Sequence, residues 1–190
     1  MFVFQDLFNE DYIRGIDSGE EIIIEEKEVL GKGKCSFFSD SPVLFMKAKD
    51  QAPVVWALKN RKCAEAAFFT TVSKKIHNLH IIEMKSKVSL KEFLKVIDQW
   101  KGMYLSAMGI LGILKEGNPK NVFVYLAYKN ENIYSPHSSS PVLLKTMVGG
   151  ERLPGMQEWD SGIVSLHHNV RATIIKKVRE DDDCDFGKVI

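Results

Sequence analysis

Residues 61–116 constrain the fold of this chain more than any other stretch. Two short apolar runs, at 61–69 and 79–86, flank a polar segment that contains Lys75 and Asn78. Short, bulky runs bounded by turn-forming polar residues are typical of an antiparallel β-hairpin. The second run ends in Glu83-Met84-Lys85. Because side chains alternate along a strand, we expect Glu83 and Lys85 to share one face and Met84 to lie on the other.

A carboxylate and an ammonium group on one face of an apolar strand need a physical reason. Burying either charge is costly unless the charges are paired or bind a metal ion. One interpretation of Glu83 and Lys85 is therefore an ion pair on the surface of an edge strand. The other is a functional site, and the sequence that follows bears on this choice.

A long helix is predicted directly after the hairpin. Ser89 and Glu92 have the spacing of a capping box, in which the two side chains satisfy free amides at a helix start. Apolar residues then recur at three- and four-residue steps, and Gly117 and Pro119 end the pattern. The next strand formers lie at 121–128, so the order is strand, strand, helix, strand. The apolar stripe comprises Leu90, Phe93, Leu94, Ile97, Trp100, Tyr104, Met108, Leu111 and Leu114.

This order, with Glu-x-Lys on the second strand, resembles the PD-(D/E)xK nuclease superfamily, to which many restriction and repair nucleases belong. The resemblance covers residues 62–128. It implies an α/β fold with a restriction-endonuclease-like mixed β-sheet core and flanking helices, to which this chain adds β-strands at both ends. Glu83 and Lys85 match the second family motif. Gln99 and Tyr104 lie where some branches carry a helical Gln and Tyr, with a spacing that is one residue longer.

The first family motif departs from the expected pattern. In the branch that this chain resembles most, Lys-Cys-Asp opens the first strand, whereas here Lys62 and Cys63 are followed by Ala64. Three explanations stay open: activity has been lost, Glu65 has taken over, or an inactivating Asp-to-Ala change stands at position 64. We favour the third explanation because the rest of the motif is intact. Neighbouring residues in a strand face opposite ways, so Glu65 should face away from a side chain at position 64 and could not replace it.

The resemblance implies metal-dependent hydrolysis of phosphodiesters with Mg²⁺ or Mn²⁺. A divalent ion lowers the pKa of a bound water and neutralises phosphate charge. Magnesium takes oxygen ligands, commonly one or two carboxylates with waters and substrate phosphate. The implied ligands are Glu83, the backbone carbonyl of Met84 and an acid from the neighbouring strand, for which Glu65 is the fallback. Lys85 would position the attacking water or stabilise transition-state charge, and Gln99 completes the implied catalytic set.

Composition limits the class of protein. The chain has 190 residues, of which 45% are hydrophobic and 27% charged, as in an ordinary globular domain. We expect one domain, 1–190, with its core at 61–129. No apolar run approaches the roughly 18 residues of a membrane span, and the first residues do not read as a signal peptide. The three cysteines are too widely spaced for a zinc site or a disulfide framework, which indicates a cytoplasmic location.

Charge is unevenly distributed along the chain. Residues 59–101 carry ten basic and four acidic residues, a net +6, although the whole chain is only +1. A local basic patch is the footprint of nucleic-acid binding, although single lysines on a helix more often only solvate its outer face. The resemblance favours DNA over RNA and suggests a role in defence against phage. A homodimer and a partner protein from a defence operon both stay open, as does a degenerate fold that binds nucleic acid or protein without cleavage.

The ends of the chain show weaker patterns. Residues 2–16 predict an amphipathic helix on which Glu10 is a candidate metal-binding acid, and residues 20–30 predict a strand with a solvated acidic border. We expect further strands at 35–40, 43–48 and 54–58, a strand or helix start at 142–148, and irregular structure at 151–160. A hairpin is predicted from 163–166 and 170–178. Residues 179–190 read as a mobile acidic tail.

Overall fold

A computed structural model describes residues 7–26, 33–55, 57–73, 75–133 and 154–189 of the chain. They form a mixed α/β structure with one seven-stranded sheet, one three-stranded sheet and one long helix packed on the larger sheet. The predicted α/β class and the additional strands on both sides of the hairpin are confirmed. In chain order the elements are β1 (Ile13–Ile16), β2 (Glu21–Glu26), β3 (Gly33–Ser39), β4 (Val43–Lys47), β5 (Ala66–Val72), β6 (Lys75–Ser89), α1 (Leu90–Leu114), β7 (Asn121–Asn132), α2 (Met156–Ser161), β8 (Ile163–Ser165), a 3-10 turn (His167–Asn169), β9 (Arg171–Val178) and β10 (Asp183–Val189).

The larger sheet has the strand order β1-β4-β5-β6-β7-β9-β8. β4, β5 and β6 are antiparallel neighbours, and the pairing of Ala66 with Ile82 sets the register of the predicted hairpin. β7 runs parallel to β6, and β9 runs parallel to β7. The carboxyl ends of β6, β7 and β9 and the amino end of β5 therefore lie at one edge of the sheet.

Helix α1 begins where the capping box predicts. The Ser89 hydroxyl accepts a hydrogen bond from the Glu92 amide at 3.3 Å. The helix ends at Lys115, whose left-handed backbone (φ 56°) stops its propagation. Helix α1 packs on one face of the larger sheet, and seven of its apolar residues are at most 1% exposed: Phe93, Val96, Trp100, Met103, Ala107, Ile110 and Leu111. Leu94 of the predicted stripe is instead 39% exposed.

Gly102 allows α1 to approach the segment that leads into β5. A Cβ atom at this position would lie 1.8 Å from the carbonyl oxygen of Lys62. No other residue fits at that distance without moving the backbone, so glycine is required for the close approach. The contact brings residues 62–65 against the turn of α1 that carries Gln99.

The three-stranded sheet, with order β10-β3-β2, covers the opposite face of the larger sheet. Ile22 and Phe37 from the smaller sheet pack in one cluster with Phe68, Ile82 and Tyr125. Residues 78–84 of β6 are consequently buried without interruption. Burial on both faces explains why this strand reads as a continuous apolar run rather than as an alternating one.

The helix predicted at 2–16 is wrong where the structure describes it. Residues 7–12 form turns, and β1 pairs antiparallel with β4. Ile13 and Ile16 are both buried, and their three-residue spacing imitates a helical period. Pairing with the free edge of β4 satisfies the backbone of this segment and overrides its weak helical pattern. Glu10 is exposed in the preceding turn.

Two further predictions of local structure fail. The described residues within 54–58 form bends and a turn instead of a strand, and the Val54 amide donates to the Ser106 hydroxyl of α1 at 3.0 Å. Residues 156–161, partly expected to be irregular, form α2, in which the Glu158 carboxylate accepts from the Gly155 amide. The strands expected within 20–30, 35–40 and 43–48 are present as β2, β3 and β4. The prediction for 142–148 falls outside the described residues.

The tail predicted at 179–190 is largely ordered structure. Its residues 183–189 form β10, which pairs parallel with β3 and places Cys184 opposite Cys35. Both thiols are buried and free, and they hydrogen-bond to each other. Of the acidic residues that suggested a solvated tail, Asp183 and Asp185 lie in β10, where they alternate with Cys184 and Phe186, and residues 180–182 precede the strand. The hairpin of β8 and β9, in contrast, is confirmed. None of the helices in the described ranges has the length and apolar character needed to cross a membrane.

Candidate metal centre

The predicted Glu83 and Lys85 lie together near the carboxyl end of β6. Lys85 Nζ is 2.6 Å from Glu83 Oε1, so the expectation that both side chains share one face is confirmed. The Glu83 side chain is completely buried, whereas 22% of the Lys85 side chain is exposed. The pair therefore lies at the boundary between the core and solvent. It is not the ion pair on the surface of an edge strand that one interpretation of the sequence predicts.

One oxygen of Glu83 lacks a partner. Its Oε2 atom is buried and has no hydrogen-bond donor within the described part of the chain. Burial raises the pKa of Glu83 to about 7, and the charge of Lys85 opposes that rise. A buried acceptor without a donor is costly in a folded protein, and a cation or an ordered water would satisfy it.

A second carboxylate, that of Glu65, stands beside Glu83. Glu65 directly precedes β5, and continuing the pairing of Ala66 with Ile82 places it opposite Glu83. Only 7% of Glu65 is exposed. Burial, a hydrogen bond with Glu26 and the charge of Glu83 together raise the pKa of Glu65 to about 9. Two acids held this close without a cation disfavour ionisation of each other.

The site also contains residues that sequence reasoning did not select. Glu26, the last residue of β2, brings a third carboxyl group from the smaller sheet and hydrogen-bonds to Glu65. Gln51, on the loop between β4 and β5, donates from Nε2 to Glu65 Oε1 at 3.0 Å. In the sequence, Glu26 belongs to the acidic border predicted for the strand at 20–30, and no pattern distinguishes Gln51.

Position 64 lies on the α1 side of the larger sheet, the side on which Glu83 also lies. Ala64 is completely buried in the apolar cluster between α1 and the larger sheet. The fallback acid Glu65 is the one that lies beside Glu83, and which of the three explanations applies stays a prediction. The alternation of faces extends from β5 to Glu65 but not to Ala64, which packs on the same side as Ala67 and not on the side of Ala66.

Helix α1 contributes the predicted Gln99 to the site. Gln99 is buried, its Nε2 donates to the Cys63 carbonyl at 3.4 Å, and its amide lowers the pKa of Glu83 against the effect of burial. Tyr104 lies elsewhere, in the apolar cluster, because five residues along a helix turn the side chain by roughly 140°. The longer spacing therefore separates the two residues of the expected helical pair.

The Met84 side chain packs towards the smaller sheet, on the face opposite Glu83 and Lys85. Its carbonyl belongs to the stretch of β6 between the two charged residues, and the role of this carbonyl as a metal ligand stays a prediction.

These residues fit a magnesium site in which two carboxylates are supplemented by waters and substrate phosphate. Across the described ranges, no three His, Cys, Asp or Glu side chains are arranged to hold a metal ion by themselves. Glu65 and Glu83 offer two carboxylates, and the unpartnered Oε2 of Glu83 is an oxygen ligand already free of competing donors. Magnesium is commonly held by one or two carboxylates with waters and substrate phosphate, so the donor set suffices.

The basic residues of 59–101 do not form one surface. Lys75 begins β6 and Lys85 stands ten residues later, so the two are about 33 Å apart along the strand. Lys62 is paired with Asp98 at 2.8 Å and Lys95 with Glu92 at 2.6 Å, which neutralises part of the excess charge. At the edge where the parallel strands end, Lys85 lies on the same face of the sheet as Glu83, and Lys87 follows it near the end of β6. Lys177 pairs opposite Ala127 and lies on the other face, towards the smaller sheet, as do Lys129 and Arg179.

Some of these basic groups are engaged within the chain. Arg179 Nη2 donates to the Lys85 carbonyl at 3.2 Å, and Lys129 is paired with Asp182. Lys87 is exposed at the end of β6. Comparison of the chain with protein-family models, with curated proteins and with solved structures found no significant match.

Proposed function

We propose that this chain is a metal-dependent phosphodiester hydrolase. One observation carries the proposal: the completely buried Glu83 interacts with Glu65, and its Oε2 has no donor among the described residues, while its Oε1 is 2.6 Å from the Lys85 ammonium. A protein gains no stability from such an arrangement, because buried acids of like charge and an unsatisfied acceptor both cost free energy. Strongly perturbed ionisable groups are typical of functional sites.

Within that class, we infer a nuclease of the PD-(D/E)xK type with a restriction-endonuclease-like core. The support is topological as well as chemical. β4, β5 and β6 form an antiparallel meander, α1 crosses over, and β7 pairs parallel with β6. Glu83 and Lys85 lie on β6, the second strand of the predicted hairpin, which is the strand that carries Glu-x-Lys in the resemblance. The departure is that Glu65, instead of a residue at position 64, provides the second acid.

In this proposal each residue has a separate role. Glu65 and Glu83, with the carbonyl of Met84, hold Mg²⁺ or Mn²⁺, which supplies an activated water and neutralises phosphate charge when bound. Lys85, which is partly exposed, reaches the solvent side of the site and stabilises charge that develops on the phosphate. Gln99 keeps the Glu83 carboxylate oriented through its neutral amide.

The substrate class follows from the edge of the sheet. Lys85 lies on the same face of β6 as Glu83 and Lys87 is exposed near the end of this strand, and these two basic side chains suit a phosphate backbone. DNA rather than RNA and a role in defence against phage are carried over from the family resemblance, and a cytoplasmic location from the spacing of the cysteines. So are the two arrangements of partners, a homodimer or a protein from a defence operon.

A second candidate function is nucleic-acid or protein binding without cleavage. The observation in its favour is the Lys85–Glu83 contact itself, because an ammonium group 2.6 Å from Oε1 neutralises the carboxylate that a metal would need. In that case the site would be a stable buried ion pair. Binding that weakens steeply with salt, with no metal dependence, is its expected signature.

The test is cleavage of plasmid, linear single-stranded DNA and RNA in the presence of Mg²⁺ or Mn²⁺. We expect Glu83→Gln and Lys85→Met each to reduce cleavage at least about 100-fold. The matched controls are Glu92→Gln and Lys95→Met, because this pair has the same 2.6 Å contact on the exposed side of α1. Equal activity in site and control variants would overturn the proposal.

Metal binding separates the two candidate functions. A competent site stabilises the fold by RT ln(1 + [L]/Kd), so the melting temperature should rise with Mn²⁺ concentration. The rise should disappear in Glu83→Gln and persist in Glu92→Gln. Salt-sensitive DNA binding without this rise would support binding without cleavage.

A further inference from the structure

The loop between β4 and β5 contains a strained turn that points towards the acids. The Ala52 amide donates to the Lys49 carbonyl at 2.9 Å, which closes a four-residue turn. Both central residues, Asp50 and Gln51, have φ of 51°. Two successive positive φ values are the pattern of a type I′ turn.

Aspartate and glutamine differ in how readily they adopt the positive φ found at Asp50 and Gln51. Asn, Asp and Gly adopt left-handed conformations readily, so Asp50 is an ordinary choice. Glutamine has no such preference, and at Gln51 the backbone is strained without any local benefit. A strained residue persists where the surrounding structure over-determines it, which occurs most often at functional sites.

The side chain of Gln51 accounts for the strain. Its Nε2 donates to Glu65 Oε1 at 3.0 Å, across the gap between the turn and the start of β5. The amide is an uncharged donor, so it favours the carboxylate form without supplying a positive charge that would compete with a cation. Gln99 is a second neutral amide at the site: it lowers the pKa of Glu83, although its Nε2 donates to the Cys63 carbonyl.

We propose that Gln51 is a positioning residue that orients Glu65 for a divalent cation, and that the Asp50–Gln51 turn exists to hold it there. This inference rests on the proposed function, because it concerns the same acids. Groups that hydrogen-bond a metal ligand orient it, and their loss commonly weakens metal binding 10–100-fold. Gln51 is not a catalytic residue, since it reaches the site only through Glu65.

The experiment compares three variants of the full chain. Gln51→Met keeps the length of the side chain and removes the donor. Gln51→Gly removes the donor and also relieves the backbone strain, so its metal-free form should melt at the same temperature as the unaltered chain or higher. Asp50→Gly is the matched control, because it places a glycine at the neighbouring positive-φ position of the same turn and leaves the Gln51 amide in place.

The readout is the dissociation constant for Mn²⁺, measured by the paramagnetic resonance signal of the free ion. We expect the constant to rise about 10-fold or more in both Gln51 variants and to be unchanged in Asp50→Gly. A role in stability alone would change the melting temperature and leave Mn²⁺ affinity as it was. Unaltered affinity in Gln51→Met and Gln51→Gly therefore overturns the inference.

A further variant, Glu65→Gln, distinguishes this failure from failure of the proposed function. If Glu65→Gln weakens Mn²⁺ binding and Gln51→Met does not, the inference about Gln51 is wrong and the metal site stands. If the unaltered chain binds no Mn²⁺, or Glu65→Gln binds it equally well, the proposed metal site is wrong and the inference falls with it.

Discussion

The carboxylate of Glu65 lies beside that of Glu83 at the open end of the β5–β6 hairpin. Both side chains are buried, and both have a raised pKa. The adjacent Ala64 belongs instead to the apolar core beneath α1. In the proposed metal site, this relationship makes Glu65 the partner acid of Glu83. It also leads to predictions that do not require the substrate to be known.

Restoring an acid at position 64 should damage the protein rather than activate it. Ala64 is 0% exposed among apolar neighbours, so Ala64→Asp buries an unpaired carboxyl group. We expect a loss of about 3 kcal/mol or more in the free energy of unfolding, measured by urea denaturation, and no gain in cleavage. Unchanged stability together with new Mg²⁺-dependent cleavage would show that position 64 is the altered metal-ligand position after all.

Without metal, the protein should lose stability as the pH rises. Glu65 has an ordinary pKa of 4.5 and a folded pKa of about 9, so between these values the folded state holds a proton that the unfolded state has released. The free energy of unfolding should therefore fall with rising pH, by at most about 1.4 kcal/mol per unit from this group. Chemical denaturation in EDTA at pH 5 to 9 measures the slope. Glu65→Gln should flatten it, and an identical slope in the variant would contradict the assignment.

Burial of His80 should make the folded protein less stable as the pH falls. His80 is buried between Phe68 and Phe123, its Nδ1 lies 2.9 Å from the Tyr125 hydroxyl, and burial lowers its pKa to about 3. Between pH 6.5 and 3, His80 is protonated in the unfolded state and neutral in the folded state. The free energy of unfolding therefore falls as the pH falls. Replacement by a side chain that does not titrate, His80→Gln, should reduce this slope between pH 6.5 and 4. A slope that does not change would assign the acid sensitivity to other groups.

Gly102→Ala and Gly112→Ala should have opposite effects, although both lie on α1. A Cβ at 102 would meet the Lys62 carbonyl at 1.8 Å, whereas one at 112 meets nothing within 4 Å. We expect Gly102→Ala to cost about 1–3 kcal/mol and to weaken Mn²⁺ binding by shifting the Gln99 turn. Gly112→Ala should add about 0.5–1 kcal/mol, because alanine is the better helix former. Thermal denaturation of the two variants gives the comparison, and equal effects would exclude the close approach at Gly102.

Local patterns in the sequence were sufficient for part of the fold. Ser89 and the three- and four-residue apolar spacing predict α1, and strand alternation predicts that Glu83 and Lys85 share a face. These features depend on residues near one another in the chain. The charge run at 59–101 was a weaker guide, because β6 separates Lys75 from Lys85 along its length.

Pairing between distant strands determined the remainder. β1 and β10 form because β4 and β3 offer open edges, although the same residues suggest a helix and a mobile tail when read alone. Glu26 and Gln51 reach Glu65 from separate elements, and no spacing in the sequence relates them.

The sequence alone therefore determined the hairpin, the helix and the Glu83–Lys85 pair, because local hydrogen bonding and side-chain periodicity specify them. The tertiary structure alone decided that Glu65, and not position 64, accompanies Glu83. The physical reason is that the face of a residue just before a strand depends on how the chain enters the sheet. Here that entry is set by the contact of Gly102 with the Lys62 backbone, a contact between residues forty positions apart.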